Sequence, residues 1–162
     1  MSLVEKFVSA MQNTVSSVIE GSVPGLTVKV LDKMVIKEKE LVLNSGTFII
    51  IGLTGEIKGR IIYLLDPISS KKLAGKMLME ELAEHNEISL SALCELTNMV
   101  SGGAISSKEI TEENIEISPP TLFQGDTVSV SSLKDEVHLL PFEFDGSKML
   151  IFIAIDAGSI KK

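Results

Sequence analysis

One glutamate and one asparagine, three positions apart, are the residues of this sequence best placed to do chemistry together. Glu95 and Asn98 form the only Glu-x-x-Asn pair in the chain. On a helix, residues three apart are surface neighbours, so a carboxylate and a carboxamide at this spacing can address one small target. The same spacing is common on solvated helix surfaces, so an ordinary surface helix is the alternative interpretation at this point.

The segment from about Ile88 to Ile105 is predicted to be the helix that carries this pair. At about 100° per residue, six residues share one face, which is predicted to be buried: Ser89, Leu93, Leu96, Thr97, Val100 and Ala104. Glu95 and Asn98 lie on the opposite face between two small residues, Ser91 and Gly102. Ile88, Met99 and Ile105 flank this face. Small residues leave room for a partner and apolar flanks suit a binding rim, so Ser91, Met99 and Gly102 are predicted to bind one.

Composition excludes several other classes of function. The chain has 162 residues and a formal net charge of −7, which disfavours binding to nucleic acid or to an anionic membrane. Hydrophobic residues make up 44% and charged residues 23%, as in ordinary globular domains. No uninterrupted apolar run approaches the roughly 20 residues needed to cross a bilayer, and the N-terminus does not have the pattern of a signal peptide. We therefore expect one cytoplasmic domain over residues 1–162, without membrane insertion.

Cysteine and histidine are too few to predict a metal site or a cysteine nucleophile. Cys94 is the only cysteine and is accompanied by two histidines, neither of which the sequence places beside it. A small packed thiol is the favoured interpretation of Cys94. We expect no metal site and no cofactor that belongs to this chain.

The remaining elements predict an α+β fold, with a largely antiparallel sheet of about six strands and helices packed on it. The predicted order is helix, strands, helix, helix, strands. Asp66-Pro67 is predicted to open the second helix, and Asp145-Gly146 is the clearest hairpin turn. The predicted helices are 3–19, 67–82 and 88–105, and the predicted strands are 26–36, 47–53, 59–65, 115–118, 126–132, 137–144 and 148–155.

Three segments in order resemble the CheX branch of the CheC/CheX/FliY chemotaxis phosphatases. Residues 93–103, Leu-Cys-Glu-Leu-Thr-Asn-Met-Val-Ser-Gly-Gly, resemble the signature helix of that family. Residues 56–63 resemble the strand before its intervening helix, and residues 118–125 resemble its proline-containing loop. The resemblance covers most of the chain and implies a CheC-like fold.

The resemblance also implies an activity, which is dephosphorylation of a phosphorylated CheY-like receiver domain in chemotaxis or related two-component signalling. Asn98 matches the asparagine that orients a water in line with phosphorus, and Glu95 matches the glutamate that pairs with the receiver's active-site lysine. Such phosphoryl transfer depends on in-line geometry and charge balance. The Mg²⁺ ion is expected on the phosphorylated partner, and a homodimer is expected from the same resemblance.

Two positions depart from the family pattern. Gly103 stands where the family often has asparagine, so the end of the helix is expected to be looser. Glu5 is followed at the third position by Val8, so the second site of CheC-type members is absent. Two alternatives remain: a non-catalytic adaptor that binds a receiver or a flagellar or signalling partner, and a self-associating structural domain.

Overall fold

Three helices follow the predicted order in the computed structural model, which describes residues 1–38, 40–110, 113–130 and 136–156. Helix α1 spans Leu3–Ser22, α2 spans Pro67–Leu78 and α3 spans Glu87–Ile105. The Asp66 side chain accepts a hydrogen bond of 2.7 Å from the backbone N–H of Ser69, which confirms it as the cap of α2. Helix α2 ends four residues before the predicted Leu82, because Met79 adopts the left-handed conformation with φ of 58° and turns the chain.

Ten strands form the two antiparallel sheets of the described residues. Their bounds are β1 Val28–Val30, β2 Met34–Ile36, β3 Leu41–Leu43, β4 Gly46–Gly55, β5 Gly59–Leu65, β6 Ile115–Ile117, β7 Thr121–Gly125, β8 Val128–Val130, β9 Val137–Phe144 and β10 Ser147–Ile155. The main sheet follows the order β1-β9-β10-β5-β4-β6, with β2 also paired to β9 and β7 also paired to β4. This path of six strands confirms the predicted fold class, and β3 pairs with β8 in a separate small sheet.

The main sheet separates two layers of apolar packing. On one face the three helices cover the larger core, in which Phe7, Ile51 and Leu93 are buried. On the other face the small β3-β8 sheet covers a second cluster, which includes Phe48 and Phe152. Alternate residues of each strand point to opposite faces, so β4 supplies Phe48 to one layer and Ile51 to the other.

Short strands account for most of the differences from the sequence prediction. The single strand predicted over 26–36 is two strands, β1 and β2, which pair with opposite ends of β9. Strand β3 is not among the predicted strands, because three residues are too few to show a period of two. The strand predicted over 126–132 is β8, and its last predicted residues, 131–132, lie outside the described residues.

The hairpin that the turn residues Asp145 and Gly146 predict is present. Strands β9 and β10 are joined by Asp145 and Gly146, whose φ angles of 48° and 78° are both positive. Two positive φ angles match the right-handed twist of paired strands, which is why Asp-Gly is favoured there. Strands β4 and β5 also form a hairpin, with Leu53 opposite Gly59.

Helix α3 is long and apolar enough to cross a membrane by length and composition alone, with a mean hydropathy of 1.2. In this structure it packs against α1, α2 and strands of the sheet. All six residues predicted to face the core are buried, and Ser101 is buried with them. The apolar character of α3 thus belongs to a helix with packed neighbours on several sides.

Gly102 and Gly103 lie inside α3, which continues past them to Ile105. A Cβ atom on Gly103 would lie 2.7 Å from Cγ2 of Thr14, so this glycine allows α1 and α3 to approach each other. A Cβ atom on Gly102 would meet nothing within 4 Å. The departure from the family's asparagine therefore coincides with a close helix contact, and the helix does not end early.

These neighbouring glycines form a matched pair for a stability test. We expect Gly102→Ala to raise the free energy of unfolding by about 0.5–1 kcal/mol, because alanine favours helix and has open space there. We expect the free energy of unfolding of Gly103→Ala to be about 1–3 kcal/mol lower than that of Gly102→Ala, because its methyl group overpacks against Thr14. Urea unfolding of both variants measures the difference, and equal stabilities would contradict the close contact.

Candidate functional site

The start of α3 is fixed by its own cap and by a link to α2. Asn86 and Ser89 form a reciprocal capping box, in which each side chain accepts a hydrogen bond from the other residue's backbone N–H. His85 lies between the two helices, with Nε2 2.9 Å from Oγ of Ser70 and Nδ1 2.9 Å from Oγ of Ser89. Because Ser70 and Ser89 are both fully buried, this bridge fixes the first turn of α3 against α2.

The middle of α3 is fixed by a buried tyrosine of the sheet. The hydroxyl of Tyr63, on β5, lies 2.6 Å from Oγ of Ser101 and 3.4 Å from the backbone oxygen of Thr97, to which it donates. Thr97 in turn donates from its hydroxyl to the backbone oxygen of Cys94. Burial raises the pKa of Tyr63 well above its ordinary value, so its hydroxyl keeps its proton.

Glu95 and Asn98 point away from this buried side. Glu95 is exposed and Asn98 is half-buried, one turn further along α3. Both line an open groove with a volume of about 500 Å³. The other residues that line this groove are Leu90, Ser91, Cys94, Ile117, Ser118, Pro119 and Pro120.

The second wall of the groove is the segment 117–120, from the last residue of β6 to the residue before β7. Both strands pair with β4, and between them the Ser118 side chain accepts a hydrogen bond of 2.7 Å from the backbone N–H of Gly52. Pro119 and Pro120 have no N–H group, so they interrupt the ladder at this point. The resulting gap in the sheet edge places the two prolines opposite α3.

Residues 118–125, which resemble the proline-containing loop of the family, do not form one continuous loop in the structure. Only the first of these residues form a loop, because Thr121–Gly125 is the strand β7. Phe123 of β7 stacks on Phe48 with ring centroids 5.1 Å apart, which fixes this strand on β4. The groove wall is therefore short and anchored at both ends.

The predicted partner-binding residues occupy different parts of this surface. Ser91 lines the groove beside Glu95. Met99 is 40% exposed and Ile88 is 67% exposed, so both are apolar side chains open to solvent on α3. Gly102 lies three positions before the end of the helix with open space above it. Met99 and Gly102 are not among the groove-lining residues and lie on the adjoining helix surface.

Cys94 also lines the groove, as a partly buried thiol. Burial raises the pKa of this thiol, so the protonated and less nucleophilic form is favoured at neutral pH. Neither histidine forms a hydrogen bond or ion pair with it among those the structure gives for His85 and His138. This environment agrees with the prediction of a packed thiol.

Within the described ranges, no three His, Cys, Asp or Glu side chains converge to hold a metal ion. Among the residues that the structure describes, Glu95 is the one carboxylate that lines the groove. The arrangement can hold a small polar group between the carboxylate and carboxamide of α3 and the proline wall. Sequence reasoning did not identify this wall as part of the site, or Tyr63 and Ser101 as the contacts behind it.

Comparisons with known proteins agree with this fold and define the family. The family model described as chemotaxis phosphatase CheX matches residues 47–143, and the chain belongs to that family. The CheY-P phosphatase CheX of Thermotoga maritima is 32% identical over 84 residues, which are 51% of this chain and 54% of that protein. The chain thus spans about half the length of this relative.

Two solved structures illustrate the shared fold. A CheC-like superfamily protein from Shewanella sp. PV-4 has a TM-score of 0.80 at 21% identity, and the match covers 97% of this chain and 100% of the other chain. The CheX-CheY-BeF3-Mg²⁺ complex from Borrelia burgdorferi has a TM-score of 0.74 at 21% identity, with 92% of this chain and 97% of that chain covered. These likenesses confirm the CheC/CheX fold.

We expect the two histidines to make the stability of this chain depend on pH. Burial, followed by the charge of Lys71, lowers the pKa of His85 from its ordinary 6.5. Burial also lowers the pKa of His138, an effect that Glu136 opposes and Lys33 reinforces. Because the unfolded chain takes up these protons first, the free energy of unfolding should fall as the pH falls below 6.5.

We expect the double variant His85→Gln and His138→Gln to lose most of this dependence between about pH 7 and about pH 5. Above about pH 5, protonation of ordinary carboxylates contributes little, so the window isolates the histidines. Urea unfolding at several pH values measures the slope for each single variant and for the double variant. An unchanged slope in the double variant would rule out the histidines as its source.

Proposed function

We propose that this chain is a phosphatase that removes the aspartyl phosphate from a CheY-like response regulator. The observation that carries the proposal is the arrangement of Glu95 and Asn98, one turn apart at an open groove, on a helix whose opposite face is buried. The name of the Thermotoga maritima relative and the composition of the Borrelia burgdorferi complex support the choice of partner.

Asn98 has the central role in the proposed mechanism. Its carboxamide both donates and accepts hydrogen bonds, so it can hold a water molecule in a defined orientation. Attack on an acyl phosphate requires that this water lie in line with the bond that breaks. The water oxygen bonds to phosphorus, the aspartate carboxylate leaves, and the products are inorganic phosphate and the unmodified receiver. No phosphate is transferred to this chain.

Glu95 contributes charge to the complex. As an exposed carboxylate beside Asn98, it can pair with a lysine at the receiver's active site. Such a pair fixes the register of the two proteins and so brings Asn98 over the phosphoryl group. The Mg²⁺ ion is proposed to arrive with the receiver, where it balances the charge of the phosphoryl group.

The surface around the pair fits a protein partner. Ser91 and Gly102 have small side chains or none, so they allow close approach at both ends of the outward face of α3. Met99 adds an exposed apolar side chain beside Asn98. Together with the proline wall, these residues give the docking surface a small apolar rim around two polar groups.

The central test compares Asn98→Ala with Asn13→Ala, an exposed asparagine of α1. We expect Asn98→Ala to lower the rate of phosphate release from a phosphorylated CheY-type receiver by about a hundredfold or more, because the water loses its orientation. Asn13→Ala should match the wild type. The measurement is phosphate release with Mg²⁺ present, and full activity in Asn98→Ala would refute the mechanism. Phosphorylation-dependent binding without phosphate release by the wild type would favour the adaptor.

The second arm of the same experiment tests Glu95 by binding. Glu95→Gln keeps the shape of the side chain and removes its charge, so we expect about tenfold weaker binding to a receiver stabilised with BeF3 and Mg²⁺. The affinity of this variant should also fall less steeply with added salt. Glu109→Gln, at another exposed glutamate, is the control. Equal affinities at every salt concentration would remove Glu95 from the interface.

We also propose that the chain is a homodimer. Support comes from three exposed apolar residues, Val30, Met34 and Val35, on strands β1 and β2 at one end of the main sheet. Val35→Glu should convert a dimer to a monomer in light scattering at micromolar concentration, whereas Val42→Glu, at the exposed valine of β3, should not. A monomeric wild type would contradict this proposal.

A further inference from the structure

A buried hydrogen bond connects the central strand of the sheet to the helix that carries the proposed site. Strand β5 lies between β10 and β4, and Tyr63 is paired with Ile151 on one side and Ile49 on the other. Its backbone therefore has little freedom to move. The Tyr63 hydroxyl is only 2.6 Å from Oγ of Ser101, and both side chains are buried.

The hydroxyl protons at this contact can both be used in hydrogen bonds. If Ser101 donates to the Tyr63 oxygen, then Tyr63 can donate to the backbone oxygen of Thr97, which is 3.4 Å away. Thr97 and Ser101 are four residues apart, so the tyrosine contacts two successive turns of α3. Asn98 directly follows Thr97 in the chain.

Beyond the His85 bridge at its first turn, the apolar contacts of α3 do not fix its rotation as sharply. Its buried face consists mainly of Leu93, Leu96, Val100 and Ala104, and apolar contacts have little directional preference. A single buried polar contact in an apolar interface can select one register among similar packings. The Tyr63 contact is directional in this way, because it requires Ser101 and Thr97 to face β5 together.

A small rotation of α3 would displace the Asn98 carboxamide substantially. A side-chain end lies roughly 5–6 Å from the helix axis, so a rotation of about 10° moves it by about 1 Å. Misplacement of a catalytic group by about 1 Å can cost about a hundredfold in rate. The rotation of α3 is therefore a quantity on which the proposed activity depends.

We propose that Tyr63 is a positioning residue that sets the rotation of α3 and thereby aims Asn98 at the receiver's phosphoryl group. The part that concerns activity rests on the proposed phosphatase function. The part that concerns the rotation of α3 does not, so it can be tested without a receiver.

The test uses three variants that each remove one buried hydroxyl. Tyr63→Phe and Ser101→Ala break the contact. Thr47→Val is the matched control, since its hydroxyl on β4 is buried and has no hydrogen-bond partner within the part of the chain that the structure describes. Urea unfolding first establishes conditions in which all three variants are fully folded.

The activity readout measures the rate of phosphate release in the bound complex, kcat, separately from the formation of that complex, which affects KM. For Tyr63→Phe and Ser101→Ala we expect kcat for phosphate release to fall by about tenfold, with the KM for the phosphorylated receiver within about twofold of the wild type. The double variant should fall no further than Tyr63→Phe, because Tyr63→Phe already removes the bond that Ser101→Ala removes. Additive effects, or a wild-type kcat in folded Tyr63→Phe, would overturn the proposal.

The second readout is alkylation of Cys94, the only cysteine of the chain, in the free protein at constant pH. Cys94 lines the groove as a partly buried thiol, so wider rotation of α3 exposes it more often. We expect alkylation to be about threefold faster or more in Tyr63→Phe and Ser101→Ala and unchanged in Thr47→Val. Equal alkylation rates in all variants would overturn the positioning role. Faster alkylation together with an inactive wild type would support it and refute the phosphatase function.

Discussion

The rotation of α3 about its own axis is the constraint on which the proposed site depends. A helix can present a carboxylate and a carboxamide outward only if its opposite side is held firmly, and here three contacts hold it. His85 links its first turn to Ser70 of α2, Tyr63 holds its middle, and Gly103 lets α1 approach its last turns. These contacts are spaced along the helix, so together they limit rotation, tilt and sliding.

The groove depends on a second constraint, which is the missing hydrogen-bond donors of two consecutive prolines. Because Pro119 and Pro120 cannot donate, the edge divides into β6 and β7, and the intervening residues face the helix. Ser118 prevents this interruption from becoming a loose loop, since it bonds to the backbone of Gly52 through both its N–H and its side chain.

Sequence reasoning succeeded where a pattern extends over many residues. The period of α3 identified which side is buried, and the cap at Asp66 and the turn at Asp145 follow from local chemistry. It failed for residues whose side chains suit both buried and exposed positions. The hydroxyl of Ser101 suits either a buried or an exposed position, and only the tertiary arrangement brings it to Tyr63. Short strands such as β3 cannot be predicted for another reason, since three residues carry too little periodicity to be distinguished from a loop.

The composition of α3 shows why a helix cannot be interpreted from its average polarity. Its 19 residues and mean hydropathy of 1.2 would suit a membrane-spanning helix, although it lies packed among other elements here. A helix with neighbours on several sides needs apolar side chains or hydrogen-bonded hydroxyls against them, so its charged and amide side chains lie on the side that stays open. In α3 that open side holds Ser91, Glu95 and Asn98, all of which line the groove. Because the buried side is committed to packing, substitutions on the open side can change recognition with little effect on the core, whereas substitutions on the buried side affect both.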